Sequence, residues 1–306
     1  MKIRVATRGS KLALLQTNEV TSVLNSKGHR TETMIVKSHG DSDTSTPLHK
    51  IGVRGIFEKE VDKAVLTGEA DLAVHSLKDV PFELPAGLVL AATPKRSSPY
   101  DAILPKPLYK LKIGDKVATG SLRREATVKL LRPDLNTVGI RGNIDTRINK
   151  LHSGYSDALI AAEAAFIRMK ITGWRRLNPK YFVPSPGQGA LGITCRSNVL
   201  PSLQKVLAAV NHQKTFLEVN LERAVASKIG AGCTSPLGVL ARAESNGAVH
   251  LIFSLARTNY TGRIFFTLDA NKTDAVSKAV AVFKRLDGEA VIQEWRAWSR
   301  EVSETF

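Results

Sequence analysis

Residues 2–7 (KIRVAT) alternate apolar and polar side chains, the period of a strand, and stop at Gly9-Ser10. Residues 10–26 then set apolar side chains at helical spacing behind Ser10, a good N-cap. Residues 33–38 (TMIVKS) predict a second strand. A loop rich in Gly, Asp, Ser and Thr follows, then a helix over 56–67 and a third strand over 70–75 (ADLAVH). This β-α-β-α-β alternation predicts an α/β domain with a mainly parallel sheet.

Residues 94–99 (PKRSSP) read as a linker. A second α/β run has strands in KVATG, NTVGI and DALIAA, with helices near 121–131, 144–152 and 162–168. Residues 183–189 (VPSPGQG) form another Pro/Gly joint, and 190–195 (ALGITC) read as a buried strand that is free to return to the first sheet. From about 213 the pattern changes. A helix over 214–227 precedes strands at 236–243, 248–257 and 262–268 and helices near 272–285 and 288–297. Three strands in succession predict an antiparallel sheet in a smaller α+β domain. The expected division is residues 1–94 plus 190–209, residues 98–185, and residues 213–306.

Length and composition narrow the class. The 306 residues suit two or three domains. There is no run of about 18 apolar residues to span a membrane, and MKIRVATRGS lacks the apolar core of a secretory signal. Two cysteines make neither a disulfide framework nor a Cys-rich metal site, so a cytoplasmic protein with reduced thiols is expected. The net charge of +16 is uneven: residues 95–184 hold 18 basic and 7 acidic residues. A basic middle third implies an anionic partner: nucleic acid, a membrane surface or a small polyanion. It is equally what a solvated basic face would give.

The ends of the predicted strands collect Arg8, Ser76, Lys78 and Asp79 in the first domain. The second adds Ser121, Arg123, Arg124, Arg141, Arg147 and Arg168. Lys50 and Arg54 lie in the long first loop. Ligands of open α/β sheets sit beyond such strand ends, where arginine forks and helix N-termini hold carboxylates or phosphates. Seven acids are too few to neutralise eighteen bases there, which favours an anion-binding cleft between the two domains. Asp79, in VHSLKDVP, would ionise readily among cations and stabilise a developing positive charge or pass protons. It would serve equally as a turn residue. His39 and His75 have no partner at ligand spacing and read as structural, so no metal site is expected. Cys195 reads as a buried hydrophobe. Cys233, between glycines and a proline, reads either as a nucleophilic loop thiol or as an incidental cysteine.

The segments VATRGSKLALLQT, HSLKDVP, GSLRRE, RGNIDTRINKL, PGQGALGI and GAGCTSPLG occur here in the order found in porphobilinogen deaminases, the hydroxymethylbilane synthases. The resemblance runs from about residue 3 to 240 and more weakly beyond. It implies three domains, the first two similar to type II periplasmic-binding-protein lobes joined by two hinge strands. It also implies head-to-tail assembly of four porphobilinogen molecules into hydroxymethylbilane, with ammonia released each time. The growing chain is primed by a dipyrromethane cofactor held by a thioether that maps to Cys233. On this resemblance Asp79 is catalytic. Ser76, Lys78, Asp79, Ser121, Arg123, Arg124, Arg141, Gly142 and Gln188 hold the cofactor. Arg8, Ser10, Arg141, Arg147 and Arg168 hold substrate, and Lys50 and Arg54 lie on a lid. Cofactor and four substrate rings together carry twelve carboxylates, which accounts for the basic excess without nucleic acid. Gly9, Gly120 and Arg54 depart from the commoner Gln or Glu, Ser or Thr, and Lys. The resemblance further implies a monomer that neither binds nucleic acid nor sits on a membrane, and that passes its product to uroporphyrinogen III synthase. A non-catalytic anion binder of the same bilobal fold would need neither Asp79 nor Cys233. A nucleic-acid binder is disfavoured by 6% aromatics and the lack of any recognised module.

Overall fold

The computed structural model describes residues 1–36, 59–199, 201–231 and 235–304. Strands β1 (Lys2–Arg8), β2 (Arg30–Val36), β3 (Leu72–Ser76) and β4 (Leu88–Ala92) join β10 (Leu191–Arg196) in a sheet of order β2-β1-β3-β10-β4. β1 runs parallel to β2 and β3, whereas β10 lies antiparallel between β3 and β4. The expected return of 190–195 to the first sheet is thus present. It makes the sheet mixed rather than mainly parallel.

Alternation along the strands sorts the core onto two faces. Ile3, Val5, Leu72 and Val74 meet Val20 and Leu24 of helix Lys11–Ser26 and Leu203, Val206 and Leu207 of helix Pro201–Val210. Ala6 and Ala73, pointing the other way, meet Val61, Ala64 and Val65 of helix Lys59–Leu66.

The second sheet has the order β7-β6-β8-β5-β9, from β5 (Asp101–Leu104), β6 (Lys116–Ala118), β7 (Asn136–Val138), β8 (Ala158–Ala162) and β9 (Arg175–Arg176). β6 is parallel to β7 and β8, and β5 is antiparallel to β8 and β9. Helices Leu122–Leu131, Ile144–His152 and Glu163–Arg168 each follow one of its parallel strands. The third sheet is the expected antiparallel meander of β11 (Leu237–Ala243), β12 (Ala248–Ala256) and β13 (Arg263–Asn271). Its core holds Phe253 stacked on Phe266 at 4.7 Å, Phe283, and Trp295, whose indole donates to the Ala256 carbonyl at 2.7 Å.

The segment read as a linker at 94–99 is a packed hinge. Ser97 N–H and the Arg96 guanidinium bond to the Gly189 and Gln188 carbonyls of the returning segment. Gly189 lies at φ +83°, and a Cβ there would fall 2.1 Å from the Ser98 carbonyl oxygen, so only glycine lets the two crossings touch. Beneath them lies the fully buried Glu222 of helix Gln213–Lys228. It accepts from Arg96 at 2.7 and 3.1 Å, from Gly187 N–H at 2.7 Å and from Ala241 N–H at 3.1 Å. One carboxylate thereby joins both crossings to the third sheet.

Candidate active site

β3 runs into a single 3-10 turn, Leu77–Asp79, at the carboxyl edge of the first sheet. Leu77 is buried and donates its N–H to the Ala190 carbonyl at 3.0 Å, which drives Lys78 and Asp79 outward. Asp79 is exposed and Lys78 half-buried. The strand end is pinned above by Gln16, whose amide donates to the Ser76 hydroxyl at 2.8 Å. Just beyond Asp79, Arg223 of helix Gln213–Lys228 donates to the carbonyls of Val80, Pro81 and Phe82. The Asp79 turn is therefore held by residues far away in sequence on both sides.

The second lobe supplies cations. Helix Leu122–Leu131 starts at Ser121, whose hydroxyl makes no capping bond. Arg123 and Arg124 turn inward from its first turn. Arg123 reaches Asp101 at 2.7 and 3.2 Å and the Val183 carbonyl at 2.8 Å. Arg124 reaches Asp101 at 2.9 Å and the Gln188 side chain at 3.1 Å, and Gln188 donates back to Asp101 at 2.9 Å. Burial pushes the Asp101 carboxyl up, but the charges of the two arginines and the bonds from Arg123 and Gln188 outweigh it and hold the group well below the usual range. Arg123, Arg124 and Gln188, expected as cofactor contacts, thus form a buried network that fixes the start of this helix on β5.

Arg141 and Gly142 precede helix Ile144–His152, with Gly142 at φ +103°. Arg147 donates from Nε to the Gly142 carbonyl at 2.8 Å. Its guanidinium lies about 4 Å from where a Cβ at Gly120 would stand, and that Cβ would meet the Ile140 carbonyl at 2.8 Å. The space beside Arg147 therefore suits the glycine present at 120. Ser10 caps helix Lys11–Ser26 through Ala13 N–H at 3.3 Å, and Arg8 ends β1, half-buried. Arg168, expected to hold substrate, grips Glu19 of the first lobe at 2.9 and 3.3 Å. Lys50, Arg54, His39 and Cys233 lie outside the described residues.

Electrostatic interactions between the lobes link these groups. Burial lowers Lys78 to about 8; Asp79 and Asp101 pull it up, and Arg124 and Arg147 push it down. Arg147 is likewise lowered to about 10, chiefly by burial, with Arg124 and Arg141 adding to the fall and Asp79 opposing it. Asp79 of the first lobe thus shares one electrostatic neighbourhood with Arg124 and Arg147 of the second. Sequence reasoning passed over Asp101, Glu222, Glu19, Gln16 and Arg223. Their partners are distant in the chain, and no spacing marks them.

Two α/β lobes thus bring an exposed carboxylate of the first into the electrostatic reach of arginines of the second. Residues 3–201 match the family model described as porphobilinogen deaminase, dipyromethane cofactor binding domain, and residues 216–290 match porphobilinogen deaminase, C-terminal domain. The chain is 44% identical over 243 residues to the porphobilinogen deaminase of Nitratidesulfovibrio vulgaris, covering 77% of this chain and 76% of the relative. It is 37% identical over 293 residues to that of Ehrlichia chaffeensis, covering 94% and 97%. It is 39% identical over 286 residues to the probable porphobilinogen deaminase of Methanopyrus kandleri, covering 91% and 96%. The chain belongs to the porphobilinogen deaminase family. It is a transferase of tetrapyrrole biosynthesis with a dipyrromethane cofactor. Among the described residues no helix is long and apolar enough to cross a membrane.

Proposed function

We propose that the gap between the lobes is where four porphobilinogen molecules are joined head to tail into hydroxymethylbilane, with Asp79 as the catalytic carboxylate. The observation that carries this reading is the placement of Asp79, exposed at the end of a pinned strand and electrostatically coupled to Lys78, Arg124 and Arg147. In each cycle the C–N bond of the substrate aminomethyl group breaks and ammonia leaves. A C–C bond then forms to the free α-carbon of the chain end, and that carbon loses its proton. Positive charge develops on pyrrole nitrogen at both stages, and a fixed anion aimed there lowers both barriers.

The donor set suits a dipyrromethane. Its acetates and propionates need cations and hydroxyls, which Lys78, Arg141 and the Ser121 hydroxyl offer around Asp79. When bound, that group supplies the nucleophilic pyrrole carbon that starts the chain. Cys233 is the proposed attachment point. Arg8, Ser10, Arg141, Arg147 and Arg168 are the proposed contacts to substrate carboxylates, and Lys50 and Arg54 the proposed lid residues. Arg123, Arg124 and Gln188 act on the cofactor chiefly by fixing the helix that presents Ser121. The working form is proposed as a cytoplasmic monomer that hands its product to uroporphyrinogen III synthase.

Intact mass and an acidic Ehrlich aldehyde test on the wild type, Cys233→Ala and Asp79→Asn check the reading. The wild type and Asp79→Asn should carry the added mass of two linked pyrroles and give colour. Cys233→Ala should give neither. Asp79→Asn should lose about 100- to 1000-fold in kcat. An Asp79→Asn enzyme turning over at the wild-type rate would sink the catalytic role.

A further inference from the structure

Below the catalytic turn, on the face of the first sheet opposite helix Lys11–Ser26, three polar side chains meet inside an apolar cluster. His75 Nε2 lies 3.0 Å from Asp62 Oδ1 and 3.2 Å from Thr194 Oγ1, and the Thr194 hydroxyl donates to the same Asp62 oxygen at 3.1 Å. Asp62 is 4% exposed, His75 5% and Thr194 0%, amid Ala6, Val61, Val65 and Ala73. The three come from three elements: helix Lys59–Leu66, β3 and β10.

Stability is a poor reason for such a group. A carboxylate and an imidazole lose their hydration on burial, and replacing a buried ionic cluster by packed apolar side chains is often neutral or stabilising. Directional bonds do something that apolar packing does not: they fix a strand's position to within a fraction of an ångström. His75 is the penultimate residue of β3, and Ser76, pointing to the other face, is held by Gln16. The last two residues of the strand are thus clamped from opposite faces, and one 3-10 turn later the chain presents Asp79. A shift of β3 would move the carboxylate almost rigidly.

We propose that His75, held by Asp62 and Thr194, is a positioning residue that sets the location of the Asp79 carboxylate for the reaction. The inference rests on Asp79 being the catalytic group, and the test separates the two.

The probe is the apolar cluster Asp62→Leu/His75→Leu/Thr194→Val in the full-length, cofactor-loaded enzyme. Its cofactor mass should be intact and its thermal midpoint equal to or above wild type. Its kcat for porphobilinogen should fall about 10- to 100-fold, since a displacement near 1 Å costs about that much, while KM stays within about twofold. Amide exchange of residues 77–80 and 82 should quicken. If the triple variant does not fold, His75→Ala should show the same loss of kcat, and His75→Gln, whose amide still reaches Asp62, should recover most of it. Wild-type kcat in the apolar variant, or equal kcat in His75→Ala and His75→Gln, overturns the proposal. Asp79→Asn assayed in parallel tests the underlying reading separately: full activity there removes the catalytic role of Asp79 whatever the cluster does.

Discussion

Lys78 shows how the site handles charge at the scale of one side chain. Its ammonium is lowered to about 8 chiefly by burial, with the neighbouring charges of Asp79, Arg124, Asp101 and Arg147 partly cancelling. A depressed lysine is charged below that value and neutral above it. As a carboxylate ligand it therefore acts below about pH 8 and fades as pH rises through it. Loading of the cofactor-free protein from porphobilinogen should accordingly slow as pH rises through about 8. Lys78→Arg, whose guanidinium stays protonated, should flatten that fall when added cofactor mass is followed against pH. Asp79, one residue on, was singled out because it stands alone among cations in HSLKDVP. The sequence already put Arg124 and Arg147 in the second domain, but only the fold shows that they share one electrostatic neighbourhood with Asp79.

At the scale of elements, the periodic helices and the β11–β13 meander were legible because each buries one face at a regular repeat. The short pieces were not. β4, β5 and β9 lack a long enough repeat or sit fully buried where alternation disappears, whereas helix Pro201–Val210 does bury a helical face of Leu203, Val206, Leu207 and Val210 and was passed over. The hinge was misread for a different reason. Proline, glycine and serine at 94–99 and 183–189 suggest solvated linkers, yet Arg96 is buried because its partner Glu222 lies 126 residues away. Similarly, Arg123 and Arg124 looked like free anion binders until β5 brought Asp101 beneath them. The Glu222 carboxylate satisfies four donors at once, so its loss strands a buried guanidinium and two backbone N–H groups. Breaking a buried pair from one side typically costs about 3–5 kcal/mol. Glu222→Ala should lose about that much in reversible denaturant unfolding, with a clear fall in thermal midpoint. A loss below about 1 kcal/mol would mean that the hinge does not depend on this carboxylate.

At the scale of the whole molecule, the lobes meet again beside the hinge, where Arg168 also donates to the Gly189 carbonyl at 3.4 Å. Glu19, on helix Lys11–Ser26, offers both carboxylate oxygens to Arg168, at the end of helix Glu163–Arg168. Beside them Leu12 packs on the core of the second lobe. The Arg168 side chain is 5% exposed and that of Glu19 49%. The arginine is thus fixed in place while its partner stands at the rim. This two-pronged geometry is the one a substrate acetate or propionate would use on the same fork. If Arg168 binds substrate, as proposed, an incoming carboxylate must first displace Glu19. Exposed pairs are worth about 0.2–1 kcal/mol, and tenfold corresponds to about 1.4 kcal/mol. Removing the competitor should then improve apparent substrate binding by no more than about fivefold. Glu19→Gln is expected to lower KM within that range and leave kcat unchanged, and added salt, which screens the half-exposed pair, should shrink the difference from wild type. Should KM stay fixed while the thermal midpoint drops, Arg168 would instead be a strut between the lobes, and substrate carboxylates would fall to Arg8, Arg141 and Arg147.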